Sequence, residues 1–377
     1  MDIRTKRLSQ LPKSVLGLLS QIDQLKGQWI GGAKLNSQVL GRLKRSVLVT
    51  STGASTRIEG SRLSDEDVEK FIRGLVLQKF TDRDKQEVLG YFELLENIFL
   101  SWRHIPLTEG VIKQLHRDLL QYTNKDERHR GEYKKLENSV EMFDELGKSI
   151  GVIFKTTPAY LVPQQMTELI AWTTEALQQK QEHPLLIISN FVVEFLAIHP
   201  FQDGNGRLSR VLTNLLLLRA GYEYASYISH EKLIEDNKAE YYIALRKSQS
   251  TLGTKQENIT PWLEFFLSVS LEQARRAIEL LSHENIEKIL SPKQLVVWRY
   301  FENIDEATAG EIAEATNVAR PTVSQGIDVL LRLKKLERIG QGRLHAIVKS
   351  NLLVYSSAHP SLATLSRRHS RLQTRHQ

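Results

Sequence analysis

His199-Pro200-Phe201-Gln202-Asp203-Gly204-Asn205-Gly206-Arg207-Leu208-Ser209-Arg210 lies between two strongly apolar stretches, and its polarity sets it apart from both. Upstream, Leu185 to Ile198 carries one charged residue, Glu194; downstream, Val211 to Leu218 resumes the apolar run. Each reads as a buried helix, so the polar stretch is the junction between two core elements. Pro200 disfavours helical backbone at His199 and ends the first helix there. Gly204 and Gly206 let the backbone come close to a ligand where the second begins. Free N–H groups at that helix N-terminus favour an anion. Arg207 and Arg210, one turn apart, place two guanidinium groups on one face along a chain of phosphates. Asp203 supplies a hard oxygen, enough for one Mg²⁺ bound mostly by phosphate and water. His199, whose kind titrates near ~6.5, suits proton removal at neutral pH. A plain helix–helix turn with a capping Asp and two surface arginines would account for each residue singly, but not for all of them together.

Working outward, apolar residues recur at spacings of three and four and β-type alternation is scarce, so the fold class is mainly α. Helices are expected over 10–50, 55–75 (a short helix, then one opening at Ser64-Asp65-Glu66-Asp67), 84–122 with a break near Pro106, 164–180, 184–198, 205–220 and 235–281. Between Gly131 and Pro163, closely spaced Gly and Pro residues punctuate short runs such as Val152-Ile153-Phe154, which predicts a small β-hairpin. From Ser291-Pro292, an N-cap followed by proline, three short helices lead to two β-like segments around Gly340-Gln341-Gly342. The expected division is 1–110, an N-terminal helical region; 111–282, a catalytic domain; 284–350, a small C-terminal domain; and 351–377, a basic tail expected to be disordered after Ser366.

The 377 residues, 41% of them apolar, can bury a sizeable interior. The absence of cysteine excludes a disulfide framework, a thiolate zinc site and a cysteine nucleophile, and fits a reducing compartment; cytoplasmic is the expectation. No stretch approaches the ~18 apolar residues of a membrane span. The net charge of +7 equals the seven basic residues that follow Glu337, where no acidic residue occurs, so any attraction for a polyanion belongs to the C-terminal part.

The twelve residues from His199 to Arg210 closely resemble the signature of the Fic (Fic/Doc) family, H-P-F-x-D/E-G-N-G-R-x-x-R, with every fixed position met. The resemblance implies a protein adenylyltransferase with ATP and Mg²⁺ as cofactors. His199 deprotonates the hydroxyl of a target protein and Asp203 holds the metal. Gly204, Asn205 and Gly206 cradle phosphates within a nucleotide site that runs on through Arg207, Leu208, Ser209 and Arg210, the two arginines taking the β- and γ-phosphates. Members that transfer the terminal phosphate carry Lys where this chain has Gly206, which disfavours that chemistry.

Ser55-Thr56-Arg57-Ile58-Glu59-Gly60 resembles the family's inhibitory motif, S/T-x-x-x-E-G/N, and places Ser55 and Glu59 on one helix face. The resemblance implies that Glu59 pairs with Arg210 as a bidentate carboxylate and takes the place of the γ-phosphate. The hairpin resembles the family's flap, which clamps an extended target by main-chain pairing, with Lys155, Thr156, Thr157 and Pro158 as its expected tip. Tyr241 and Tyr242 resemble a tyrosine pair beside the nucleotide base. Residues 284–350 read as a winged helix, with Thr308 to Thr316 and Ala319 to Gly326 as its helix-turn-helix and Gly340 to Arg343 as the wing, so that 319–345 is a candidate DNA contact. Two other readings stay open, a DNA-binding regulator with an ATP-sensing Fic body and an enzyme that removes AMP, as does assembly into a homodimer.

Overall fold

The computed structural model describes residues 2–9, 11–32, 37–74, 83–123, 127–143, 149–301, 304, 306–333, 335–339 and 346–349. They divide into two compact units, Met1–Leu281 and Ser282–Gln377.

The first unit holds α1 (Ile3–Leu8), α2 (Lys13–Gly32), α3 (Ser37–Ile58), α4 (Asp65–Ile72), α5 (Arg83–Ser101), α6 (Glu109–Leu119), α7 (Val162–Gln179), α8 (Pro184–Ile198), α9 (Asn205–Arg219), α10 (His230–Asp236), α11 (Lys238–Gln249) and most of α12 (Thr260–Ile289). One hydrophobic cluster draws on nearly all of them, so the boundary expected near 110 is no break between compact bodies. α8 is its axis: Pro184 opens the helix, the His183 side chain accepts from the Leu185 N–H, and among its residues past Pro184 only Ala197 is not fully buried. Trp262 of α12 donates its indole N–H to the Ser189 carbonyl at 2.8 Å. The one charged residue of α8, Glu194, is answered by α1, from Arg4 at 2.9 Å and Arg7 at 2.6 Å. A buried carboxylate so paired is no anomaly in an apolar helix.

Three expected element boundaries are corrected. The segment around Ser55 is the last turn of the 22-residue α3, which runs through Gly41 and Gly53 without a break and ends before Gly60, at φ 103°. The single helix expected over 235–281 is α11 and α12, parted at 250–259, where Gly253 adopts a φ of 73°. The hairpin is β1 (Ser139–Phe143) antiparallel to β2 (Ser149–Lys155), so its closed end falls at 144–148, outside the described residues. Lys155 to Pro158 therefore lie at the opposite end, where β2 returns to the helices, and do not form the tip.

In the second unit α13 (Pro292–Tyr300), α14 (Ala309–Thr316) and α15 (Arg320–Arg332) pack with β3 (Glu306–Ala307), β4 (Leu336–Ile339) and β5 (Ala346–Lys349), an antiparallel sheet of order β3-β5-β4. Capping boxes at Ser291/Gln294 and Thr308/Glu311 start α13 and α14. A separate core of Val297, Trp298, Phe301, Ile312, Val323, Ile327 and Leu330 closes it. Leu330 is buried, while Leu331 and Leu333 are half-buried. The expected wing and basic tail lie outside the described residues.

Candidate active site

The junction between α8 and α9 gathers the site. α8 ends on His199 at φ 53°, a left-handed backbone that a residue with a side chain rarely takes. Neighbours hold it there. Lys134 donates its backbone N–H to the Pro200 carbonyl at 2.8 Å and its ammonium to the Ile198 carbonyl at 3.3 Å, the Asn138 amide oxygen at 2.7 Å and the Thr156 hydroxyl at 2.7 Å. Thr157 donates its N–H to the Ala197 carbonyl at 3.3 Å, so the end of β2 braces α8. Burial lowers the Lys134 pKa to about 8.

The His199 ring, half-buried, places Nδ1 3.3 Å from the Leu196 carbonyl. A proton on Nδ1 satisfies that carbonyl and leaves Nε2 as the acceptor. Burial lowers the imidazole pKa to about 4, against the opposing effect of the Leu196 contact, so the ring is neutral at neutral pH and Nε2 carries no proton when Nδ1 does.

The loop that follows is locked by residues that pattern reading had passed over or given another task. Asn205 accepts from the Phe201 N–H at 2.9 Å and donates to the Phe201 carbonyl at 2.8 Å. Its side chain is thereby committed to the loop, leaving its backbone N–H for an anion. His116 of α6 stacks on Phe201 with ring centroids 3.8 Å apart, accepts from the Gly131 N–H at 2.9 Å, and donates from Nε2 to the Asp203 carbonyl at 2.9 Å. Burial lowers its pKa to about 4, consistent with a neutral ring that accepts on one nitrogen and donates on the other. Its signal in the sequence was slight, one histidine on the inner face of an amphipathic helix.

α9 begins at Gly204, with φ 80° and no side-chain cap, so its first N–H groups keep no intrahelical acceptor. Leu208 points into the core, and Ser209 donates to the Gly206 carbonyl at 2.7 Å. The two arginines diverge instead of following one line. Arg207 reaches Glu87 of α5 at 2.9 Å and Asp203 at 3.3 Å. Arg210 donates from Nε to the Ser55 hydroxyl at 2.8 Å, and from Nη2 to the Ser55 carbonyl at 2.9 Å and to Glu59 Oε1 at 2.7 Å. The Glu59 contact is thus made through one oxygen and is not the expected bidentate fork. Among the described residues, the buried Arg207 Nε and Arg210 Nη1 have no hydrogen-bond partner, and unmet buried donors of this kind suit an anion.

Glu59 also explains Gly206, since a Cβ there would stand 2.2 Å from Glu59 Oε1 and 3.4 Å from Arg210 Nη1. A lysine at this position would have no room while Glu59 is in place. Behind Arg210 lies a buried polar chain: Tyr91 of α5, in hydrogen-bond contact with Ser55, donates to Glu231 at 2.8 Å, and Asn214 donates to the same carboxylate at 2.6 Å. Tyr242, half-buried, directs its hydroxyl to the Ile58 carbonyl at 3.4 Å, while Tyr241 is packed against Trp262 and Phe265.

Asp203 is the candidate metal ligand. Its carboxylate accepts from the Gly204 N–H at 2.6 Å and faces Arg207 and, at 2.6 Å, Arg83. Burial opposes ionisation, but Arg207, the Gly204 N–H and Arg83 together hold its pKa below the ordinary value, so the group is anionic. Among the described residues no three His, Asp or Glu side chains gather as a metal cage. One anionic carboxylate, 36% exposed beside an uncapped helix start, nevertheless fits Mg²⁺ bound mainly by phosphate and water.

Residues 106–217 match the family model described as Fic/DOC family. A protein adenylyltransferase fic-1 of Caenorhabditis briggsae is 25% identical over 214 residues, 56% of this chain and 38% of that protein. A probable protein adenylyltransferase of Aquifex aeolicus is 27% identical over 155 residues, 38% of this chain and 47% of the relative. The chain thus spans less than half the length of either. Among solved structures, a Fic family protein from Desulfovibrio desulfuricans aligns with TM-score 0.60 and 24% identity over 91% of this chain and 98% of its own, a likeness of fold. The Fic/DOC match thus covers residues 106–217, less than a third of the chain. Among the described residues no helix is long and apolar enough to cross a membrane.

Proposed function

We propose that the chain is a protein adenylyltransferase that transfers AMP from ATP to a hydroxyl of a target protein, or of itself, and is held at rest by Glu59. The observation that carries this reading is the meeting at α9 of a neutral, base-competent His199 with Arg210, whose guanidinium is answered by Glu59 from a distant part of the chain. The acceptor hydroxyl gives its proton to Nε2 of His199 as its oxygen attacks the α-phosphorus. The bond from that phosphorus to the bridging oxygen breaks and pyrophosphate leaves. The N–H groups at the start of α9 and the guanidinium groups of Arg207 and Arg210 neutralise the charge gathering on the leaving group. Asp203 would hold Mg²⁺, which when bound lowers the repulsion between phosphate and nucleophile. An extended target segment would add to an edge of the β1–β2 hairpin by main-chain pairing.

Glu59 touches Arg210 where a terminal phosphate would be received, so carboxylate and phosphate compete for one guanidinium. The direct test supplies purified protein with ATP labelled at the α-phosphate or at the γ-phosphate, in the presence of a lysate. Label from the α-position should reach protein, and should do so faster with Glu59→Gly. Transfer of the γ-label instead would refute the assignment.

A further inference from the structure

Asp203 already has a cation on it. Arg83, the first residue of α5, places Nη2 2.6 Å from Asp203 Oδ2 and Nε 2.6 Å from Glu87 Oε1. Arg207 mirrors it from the other side, with Nη1 2.9 Å from Glu87 Oε2 and Nη2 3.3 Å from Asp203 Oδ1. The four side chains close a ring of alternating sign, Arg83–Glu87–Arg207–Asp203, with no net charge.

The members of the ring are not equivalent. The side chains of Arg207 and Glu87 are 3% and 10% exposed, whereas those of Arg83 and Asp203 are 48% and 36% exposed. The buried pair is framework, and the outer pair faces solvent. Arg83 can release Asp203 while keeping Glu87, one helical turn along α5, so its departure breaks a half-exposed ion pair and leaves neither Glu87 nor Arg207 buried without a partner.

We propose that Arg83 is a placeholder cation: it keeps a free divalent ion off Asp203, so that the site admits its metal together with the phosphates of a nucleotide. A lone dication would displace Arg83 and leave the locality at +2, whereas a dication carried by a polyphosphate brings its own compensation and gives the released guanidinium an anion to meet. Arg83 is in these terms a positioning residue that sets the order in which metal and nucleotide arrive. The inference rests on the reading of Asp203 as the metal ligand.

The test uses Mn²⁺ alone, without nucleotide or target, followed by the relaxation of water protons in solutions of the full chain. Wild type should bind Mn²⁺ weakly and Arg83→Ala about 3- to 10-fold more tightly, the size expected for removing one half-exposed ion-pair partner. Asp203→Ala should lose this binding, and adding Arg83→Ala to it should bring none back. Arg83→Lys, which keeps the charge, should stay near wild type. Equal Mn²⁺ affinity in wild type and Arg83→Ala overturns the proposal, as does Mn²⁺ binding by neither. A gain of the same size in the Asp203→Ala background also overturns it, since the effect would then be one of general charge. Because neither ATP nor a target enters the titration, these outcomes are independent of whether α-label reaches protein; failed labelling with a clear Arg83 effect would count against the adenylyltransferase reading alone.

Discussion

Glu87 and Glu59 reach Arg207 and Arg210 of α9 from other helices, and they do so in different ways. Glu87 meets Arg207 from inside the helical core, is itself 10% exposed, and is shared with Arg83. Glu59 meets Arg210 from the end of α3 through a single oxygen, and its side chain is 37% exposed. Arg210 does not depend on Glu59 for its place, since Ser55 holds it twice and the Tyr91–Glu231–Asn214 chain backs Ser55. The difference separates a framework ion pair from a removable one. Evicting Glu87 leaves the buried Arg207 with only its longer contact to Asp203, whereas evicting Glu59 leaves Arg210 still oriented by Ser55.

The widest predicted effect provides the baseline for this contrast. His199→Ala should lower AMP transfer by about 10²- to 10⁴-fold while calorimetric ATP affinity stays close to wild type, because the base acts on the acceptor and the phosphates are held on α9. A variant that labels as fast as wild type would remove His199 from the chemistry.

If Glu59 is the removable partner, Glu59→Gly should raise the initial rate of AMP incorporation about 10- to 1,000-fold at saturating ATP. The double variant Glu59→Gly with Arg210→Ala should lose the gain, since the freed guanidinium is what receives the phosphate. A thermal melt sharpens the point: ATP should raise the Tm of Glu59→Gly more than that of wild type, where binding must first displace a carboxylate. Equal rates for wild type and Glu59→Gly would leave the catalytic reading standing and end the inhibitory one.

Glu87→Ala should behave in the opposite way. Breaking a buried pair by deleting one partner costs about 3–5 kcal/mol, so chemical denaturation should report a large loss of stability, with no gain in labelling. A Glu87→Ala protein that is as stable as wild type and labels faster would erase the distinction between the two carboxylates.

The parts of this arrangement legible in the sequence are those that short-range pattern encodes. The apolar runs on either side of His199 predicted the buried α8 and α9, and Pro200 and Gly204 marked the junction, because periodicity and backbone restriction act over a few residues. The contact between Glu59 and Arg210, 151 positions apart, came from the resemblance of two motifs and not from periodicity. Glu87, Arg83, Tyr91 and His116 had no such motif. Each lies on an amphipathic helix at a position that reads equally well as surface or as filled core, and only tertiary packing gives it its distant partner: Arg207 for Glu87, Asp203 for Arg83 and His116, and Ser55 and Glu231 for Tyr91. The hairpin tip was misplaced for a related reason: Gly and Pro mark where a strand can end, while the register decides which end is the turn, and here the turn precedes Ser149.

The framework side of the comparison can also be tested by acid. His116, fully buried, holds the Asp203 carbonyl in its neutral form, and burial lowers its pKa from 6.5 to about 4; His230 of α10, also buried, is lowered to about 4 by the same cause. The unfolded chain regains the ordinary value for both. Between pH 6.5 and 4 the unfolded state therefore binds more protons than the folded one, so stability rises with pH across this window and is lost as pH falls through it. Each histidine should add about 1.4 kcal/mol per pH unit to that slope within the window. His116→Gln, which keeps a donor for the Asp203 carbonyl and cannot titrate, should flatten the urea-derived stability profile by one proton's worth and leave the Glu59→Gly activation intact. If its profile stays as steep as that of wild type, His116 is protonated in the folded protein and cannot accept from the Gly131 N–H, and the account of how the loop is held would have to be redrawn from Asn205 alone.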